Sequence, residues 1–202
     1  MTRLFCPKLP AILAVALAAS LLTLPTQAAP ATPFAAEAQV QGTPLVLNGA
    51  GTRFRAVFKV YDMALYTPHR VNTPEELLAL PGPKLLSFTA LRDLPGTDLG
   101  LAFIKGLSAN SPKELALKHT VSSNRLIEIF SGRSKLSPGD TFAMQFIPGQ
   151  GTLFFIGGQP QGSPVGDAEF FAMVLNIWVG SNPADYGLKA ALLGQEPVKK
   201  SY

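Results

Sequence analysis

From Arg53 to Tyr61 the chain reads RFRAVFKVY and alternates as a strand should, Val57 apart. Its odd positions carry Arg53, Arg55, Val57, Lys59 and Tyr61; its even positions carry Phe54, Ala56, Phe58 and Val60. Side chains two apart share one face of a pleated strand. The segment therefore belongs in a sheet with two unlike faces, the usual condition of an antiparallel sheet covered on one side. What lies over the cationic edge decides whether it is a binding site or a solvated surface.

The remaining elements follow the same local rules. Val40–Leu47 and Arg53–Tyr66 read as strands about a turn at Asn48-Gly49-Ala50-Gly51, a cluster of turn formers. Thr73-Pro74-Glu75-Glu76 opens a short helix, with Thr73 as N-cap and Pro74 at the first helical position. Lys84–Leu91 (KLLSFTAL) is a mostly apolar third strand. Thr97–Leu107 places Leu99, Phe103 and Leu107 on one helical stripe. Ser111-Pro112-Lys113-Glu114 has the spacing of a capping box and starts a helix expected to run to Gly132. Thr141–Ile147 and Thr152–Ile156 form a hairpin about Pro148-Gly149-Gln150-Gly151. Gly166–Val179 is the most apolar helix, with Phe170, Val174, Ile177 and Trp178 on one face, and Ala184–Leu193 is a last short one. Strands in runs and helices in runs define an α+β domain, an antiparallel sheet with helices packed on it.

The N-terminus is set apart from this domain. Arg3 and Lys8 precede a largely apolar run of 14 residues from Ala11 to Leu24, then Pro25 and Thr26-Gln27-Ala28. That is the layout of a secretory signal peptide ending at Ala28, and the run is shorter than the roughly 20 residues of a spanning helix. Residues 29–36 are expected to form a flexible Ala/Pro-rich leader, and 37–202 a single domain in an exported, periplasmic protein with no stable membrane span. Cleavage removes Cys6, the chain's one cysteine, so the mature protein holds neither disulfide nor thiol nucleophile and suits an oxidising compartment. It also removes two of the 17 cations and none of the 13 acids, which leaves a net charge of +2. So small and evenly spread a charge does not suit nucleic acid.

Familiar catalytic patterns are missing. His69 and His119 are the two histidines. Neither has a ligand partner at metal-binding spacing, and both are expected on the surface. There is no Gly-x-Ser-x-Gly nucleophile turn, and the paired glycines near 149 and 157 lack the strand-to-helix context of a phosphate loop. Asp167 and Glu169 open a helix, where carboxylates suit the dipole. No metal site, cofactor or catalytic residue is indicated.

Gly49-Ala50-Gly51-Thr52-Arg53 followed by Phe58-Lys59-Val60-Tyr61-Asp62-Met63-Ala64-Leu65-Tyr66 resembles the signature of the chalcone isomerase-like superfamily, closest to its bacterial secreted branch. Gly106–Asn110, Phe155-Ile156-Gly157-Gly158, Asn176-Ile177-Trp178-Val179-Gly180 and Lys189–Gly194 fit the same family. The resemblance implies an open-faced β-sandwich in which a large antiparallel sheet is covered by helices, with a ligand cleft between them. The superfamily includes isomerases that close a chalcone to a flavanone and non-catalytic members that hold fatty acids. Arg53 matches the arginine that the isomerases carry after the Gly-x-Gly turn. Tyr61 stands where the isomerases carry a threonine, as in the fatty-acid binders, and the isomerases' helical tyrosine has no counterpart between Thr97 and Gly132. The resemblance thus implies a non-catalytic binder of a fatty acid or similar amphipathic carboxylate.

Physical chemistry agrees with that assignment at the head group, because a guanidinium and a phenol together offer charge-assisted hydrogen bonds to a carboxylate. Distance works against it. On a straight strand, eight residues at roughly 3.3 Å each separate Arg53 from Tyr61 by about 26 Å. Arg55 and Lys59, the latter about 7 Å from Tyr61, are the alternative cations. Two other functions stand beside the binder: a chalcone isomerase-type lyase acting on a phenolic ketone, and an envelope interaction protein without ligand. The signal peptide has a direct test. Intact-mass measurement of protein exported by a bacterial host should give a chain that begins at Ala29; a chain that retains Met1–Ala28 would refute cleavage there.

Overall fold

A computed structural model describes Met1 and residues 34–195; the proposed signal peptide, most of the leader and the last seven residues lie outside the described residues. Seven strands form one antiparallel sheet in the order β1-β2-β3-β4-β7-β8-β9. They are β1 (Glu37–Val40), β2 (Thr43–Arg55), β3 (Phe58–Thr67), β4 (Lys84–Ala90), β7 (Thr141–Ile147), β8 (Gly151–Ile156) and β9 (Gln159–Pro160). A separate two-stranded ribbon joins β5 (Leu94–Pro95) to β6 (Lys135–Leu136). The helices are α1 (Pro74–Ala79), α2 (Gly96–Asn110), α3 (Lys113–Lys118), α4 (Thr120–Ser131), α5 (Ala168–Val179) and α6 (Tyr186–Leu192). The expected α+β class and helix-covered antiparallel sheet are those observed. No helix among the described residues is long and apolar enough to cross a membrane.

Alternation sorts the side chains between two cores. Tyr61, Met63 and Leu65 of β3, Leu86 and Phe88 of β4, Phe142 and Met144 of β7, and Phe154 of β8 face the helices, where Leu99, Phe103, Phe130, Phe170 and Trp178 meet them. Ala64, Tyr66, Leu85 and Ile147 point to the other face, joined by Val40 and Leu45 and by half-buried Phe34. The Tyr66 hydroxyl donates to Ala35 O at 3.0 Å, and Leu47 N to Ala36 O at 2.8 Å, so residues 34–36 rest on that second face.

Two turns fall elsewhere than the local composition suggested. Asn48-Gly49-Ala50-Gly51 is not a turn: β2 runs straight through it, and the chain reverses earlier, at Gln41 and Gly42, both with positive φ. The register passes from Leu47↔Tyr66 to Gly49↔Leu65, which leaves Asn48 as the extra residue of a β-bulge. Its buried amide donates to Leu192 O at 2.7 Å and accepts from Val71 N at 2.7 Å. The glycines beside it are needed because α6 lies backbone-on-backbone against β2. A Cβ at Gly49 would sit 2.1 Å from Ala191 O, and one at Gly51 would sit 2.8 Å from Ala191 Cβ. The motif is the seat of the last helix.

The second difference concerns Arg53–Tyr66, expected as one strand. The chain folds back at Ala56-Val57, so that β2 and β3 form a hairpin. Ala56 takes φ 52°, a left-handed conformation that a residue with a Cβ adopts only at some cost. No Gly, Asn or Pro marks the site.

Ser111 also departs from expectation. It makes no capping bond, its hydroxyl is buried without a partner, and the helix breaks at His119 into α3 and α4. Pro112 supplies the entry geometry in its place. The Thr73 cap matches, accepting from Glu76 N at 3.1 Å; Asp167, expected only to suit the helix dipole, is the N-cap of α5 and accepts from Phe170 N at 2.9 Å. Gly49→Ala should lower unfolding free energy by about 1–3 kcal/mol, the usual cost of forcing atoms into a packed contact. Urea titration measures this, and an unchanged midpoint would refute the α6 seat.

Candidate functional site

The reversal at Ala56-Val57 removes the distance problem. Arg53 and Tyr61 are direct cross-strand partners, Arg53↔Tyr61 in the β2–β3 register. A two-residue turn with Arg55↔Phe58 and Phe54↔Lys59 would by itself oppose Arg53 to Val60. The register instead jumps between Arg53 and Phe54 and leaves Val60 unpaired. This second bulge turns the phenol toward the guanidinium, as bulges commonly re-aim a side chain.

Tyr61 is buried among aromatic rings under the helix layer. Its ring meets Phe88 edge-on at 5.5 Å and Phe142 at 6.3 Å between centroids, and its hydroxyl accepts a hydrogen bond from Trp178 Nε1 at 2.8 Å. The Arg53 guanidinium carbon stands 5.5 Å from the Tyr61 ring centre, within cation–π range. Burial pushes the phenol above its ordinary pKa, against the pull of the Arg53 charge and the Trp178 N–H, so Tyr61 stays neutral and able to donate.

Arg53 is half-buried and, among the described residues, forms no ion pair. Its Nε is buried without a hydrogen-bond partner. Asp185 is close enough to bear on Tyr61 electrostatically, but its carboxylate is committed to Phe54 N at 2.8 Å and Leu188 N at 3.0 Å. An unsatisfied buried donor is costly, and this one stands next to a neutral phenol that can also donate.

Arg55 and Lys59 are not brought to this point. Both are exposed at the end of the hairpin. The space over Tyr61 is filled by side chains: Phe88 stacks on Phe142 at 4.1 Å, Trp178 packs on Phe88 at 5.2 Å, and Phe103 lies 6.2 Å from Trp178. Two open grooves of about 710 and 720 Å³ lie elsewhere. One is lined by Asn48, Arg70, Glu76 and Leu193 among others, the second by Arg125, Arg133, Lys135 and Gln161 among others. Neither includes Arg53 or Tyr61.

The helix layer is held over the site by residues that composition alone did not single out. Gly106 of α2 faces Ile177 of α5, where a Cβ would come within 2.8 Å of Ile177 Cγ2. Asn110 donates to Gly106 O and Asn182 O and accepts from Asn182 N, all at 2.9–3.0 Å. Lys189 of α6 donates to Gly180 O at 2.9 Å, at the C-terminal end of α5. These contacts set Trp178 above Tyr61. The signal was present in Gly106, Asn110 and Gly180, but their partners lie up to 72 residues away in sequence.

His69 is exposed as expected, whereas His119 is buried. Its Nε2 lies 2.7 Å from a Glu169 carboxylate oxygen, and Lys118 pairs with the same carboxylate. These contacts hold the Glu169 carboxyl below its usual pKa. The group anchors the α3–α4 junction to the start of α5, so Glu169 does more than complement a helix dipole. A second unpredicted burial is Lys84. Its Nζ donates to Leu80 O at 2.6 Å, and desolvation lowers its pKa to about 8.

The geometry and the family agree. A family model described as chalcone isomerase-like matches residues 28–194, and the chain belongs to that family. Among solved structures, it is similar to the crystal structure of a fatty-acid binding protein of Arabidopsis thaliana. The two are 15% identical with a TM-score of 0.61, over 79% of this chain and 90% of that one. No curated protein sequence matches significantly. At that identity the likeness concerns the fold, the open-faced sheet covered by helices.

Tyr61→Phe would leave Trp178 Nε1 buried without an acceptor. The expected loss is about 1–3 kcal/mol of stability, read by chemical denaturation. Trp178 is the chain's one tryptophan, so its emission should change in the same variant. An unchanged spectrum and midpoint would refute the bond.

Proposed function

We propose that this protein is a non-catalytic binder of a fatty acid or similar amphipathic carboxylate, acting in the periplasm after removal of its signal peptide. The observation that carries the reading is the pairing of Arg53 with Tyr61: a cation with no ion pair among the described residues and one N–H group buried and unbonded among them, beside a phenol kept neutral by burial. A carboxylate would take two charge-assisted bonds from Arg53 and a third from Tyr61. The fatty-acid binding activity named for the Arabidopsis protein of the same fold supports this choice of ligand. So does the missing helical tyrosine, which argues against isomerase chemistry.

The apolar tail would lie between sheet and helices, where each buried methylene contributes about 0.8 kcal/mol. Because Phe88, Phe103, Phe142 and Trp178 now fill that space, entry of a tail requires those rings to repack and α2 or α5 to shift. Ligand binding is therefore expected to change Trp178 fluorescence. The same close packing favours a second reading, an envelope interaction protein that holds no ligand.

Extraction of the purified protein followed by mass spectrometry separates the two. Wild type should carry a stoichiometric amphipathic acid, and Arg53→Ala about tenfold less or none, since loss of a charge-assisted pair costs roughly 1.5–3 kcal/mol. Equal acid in both proteins would remove Arg53 from the site. Absence of acid from wild type, together with Trp178 emission that does not respond to added fatty acid, would favour the ligand-free reading. Turnover of a chalcone abolished by Arg53→Ala would restore the isomerase.

A further inference from the structure

The hairpin that buries Tyr61 at its root ends in an apolar tip that nothing else in the described fold covers. Val57 is 82% exposed, Phe58 60% and Phe54 45%. Single exposed apolar residues are ordinary, but three within five positions on a protruding turn form a patch that invites a partner. Cations stand around them. Arg55 and Lys59 are exposed on the two strands, and the Arg92 guanidinium carbon lies 5.6 Å from the Phe58 ring centre.

None of these three cations belongs to an ion pair among the described residues. The seven residues Arg53–Lys59 contain no acid. The carboxylates nearest in sequence or contact are already engaged: Asp62 with the Thr52 hydroxyl, Asp185 with Phe54 N and Leu188 N, and Asp93 with Lys135. Apolar and cationic side chains thus stand side by side around the tip, Arg55 opposite Phe58 and Lys59 opposite Phe54.

We propose that this tip docks on an anionic lipid bilayer. Phe54, Val57 and Phe58 enter the interface while Arg55, Lys59 and Arg92 meet the phosphate head groups. A convex tip of three side chains offers a protein partner little area to grip. A bilayer takes up such a wedge without shape complementarity, and binding then grows with buried apolar surface and with attraction to anionic lipid. Tip docking does not rest on the identity of any interior ligand. It would bring Arg53 and Tyr61, at the root of the same hairpin, close to the membrane surface.

The test is co-sedimentation with vesicles of phosphatidylcholine, with and without phosphatidylglycerol. It uses the chain that starts at Ala29, which contains every described strand and helix and lacks the apolar run of residues 11–24. Wild type should bind the phosphatidylglycerol vesicles and release them as salt is raised. Val57→Ser with Phe58→Ser should abolish binding. Arg55→Ala with Lys59→Ala should weaken it by about fivefold per charge. Circular dichroism and melting of the same variants show that the fold is kept, as expected for exposed positions.

Failure of wild type to sediment, equal binding to both vesicle types, or binding retained when Val57 and Phe58 are replaced would overturn the proposal. Self-association that is lost in the tip variant, seen by analytical ultracentrifugation without vesicle binding, would assign the tip to a second copy of the chain and overturn it as well. Fatty-acid content, measured separately, is unaffected by any of these outcomes, so the two readings fail independently.

Discussion

The contact of α6 with β2 is the constraint from which the rest of the arrangement follows. Two glycines remove every side-chain atom from that stretch of strand, and the bulged Asn48 ties it to Leu192 O and Val71 N. With α6 seated, Asp185 at its N-terminus holds Phe54 N, and Lys189 holds the end of α5. One short helix thus fixes the β2–β3 hairpin from one side and the helix layer from the other. Trp178 and Tyr61 meet because both are positioned from the same seat.

That arrangement makes polar groups costly wherever the interior is dry, and most are satisfied with care. Trp178 Nε1 finds Tyr61, Lys84 finds a carbonyl, and His119 finds Glu169. Half-buried Arg53 is the exception among these cations, with a buried Nε that no group among the described residues accepts from. The Ser111 and Thr152 hydroxyls are also buried without partners, but Arg53 Nε alone among these three groups belongs to a charged side chain, and buried polar groups without partners are rare and informative.

Much of the fold was legible in the sequence because its signals are local. The alternation of Arg53–Tyr61, the apolar run of β4, the glycine-marked hairpin of β7 and β8, the cap at Thr73 and the apolar face of α5 each depend on neighbours a few residues away. The capping-box spacing at Ser111 was legible too, yet misleading, because Pro112 set the helix entry and the Ser111 hydroxyl turned inward without a partner. His119 was misread for a related reason. Its neighbours in sequence are polar, but its neighbours in space are Phe170 and Glu169, about 50 residues on.

The sequence by itself determined the class of the domain, the identity of the family, and Arg53 and Tyr61 as the residues to watch, since all three reside in short-range pattern and motif. The tertiary structure alone decided that these two residues touch. A turn at Ala56-Val57, built without glycine, and a bulge at Val60 convert eight residues of separation into a cross-strand pair. Neither device has a compositional mark: Ala56 holds its positive φ because the β2–β3 ladder on either side is pinned by β4 and α6. Register is a property of paired strands, and no single strand encodes it.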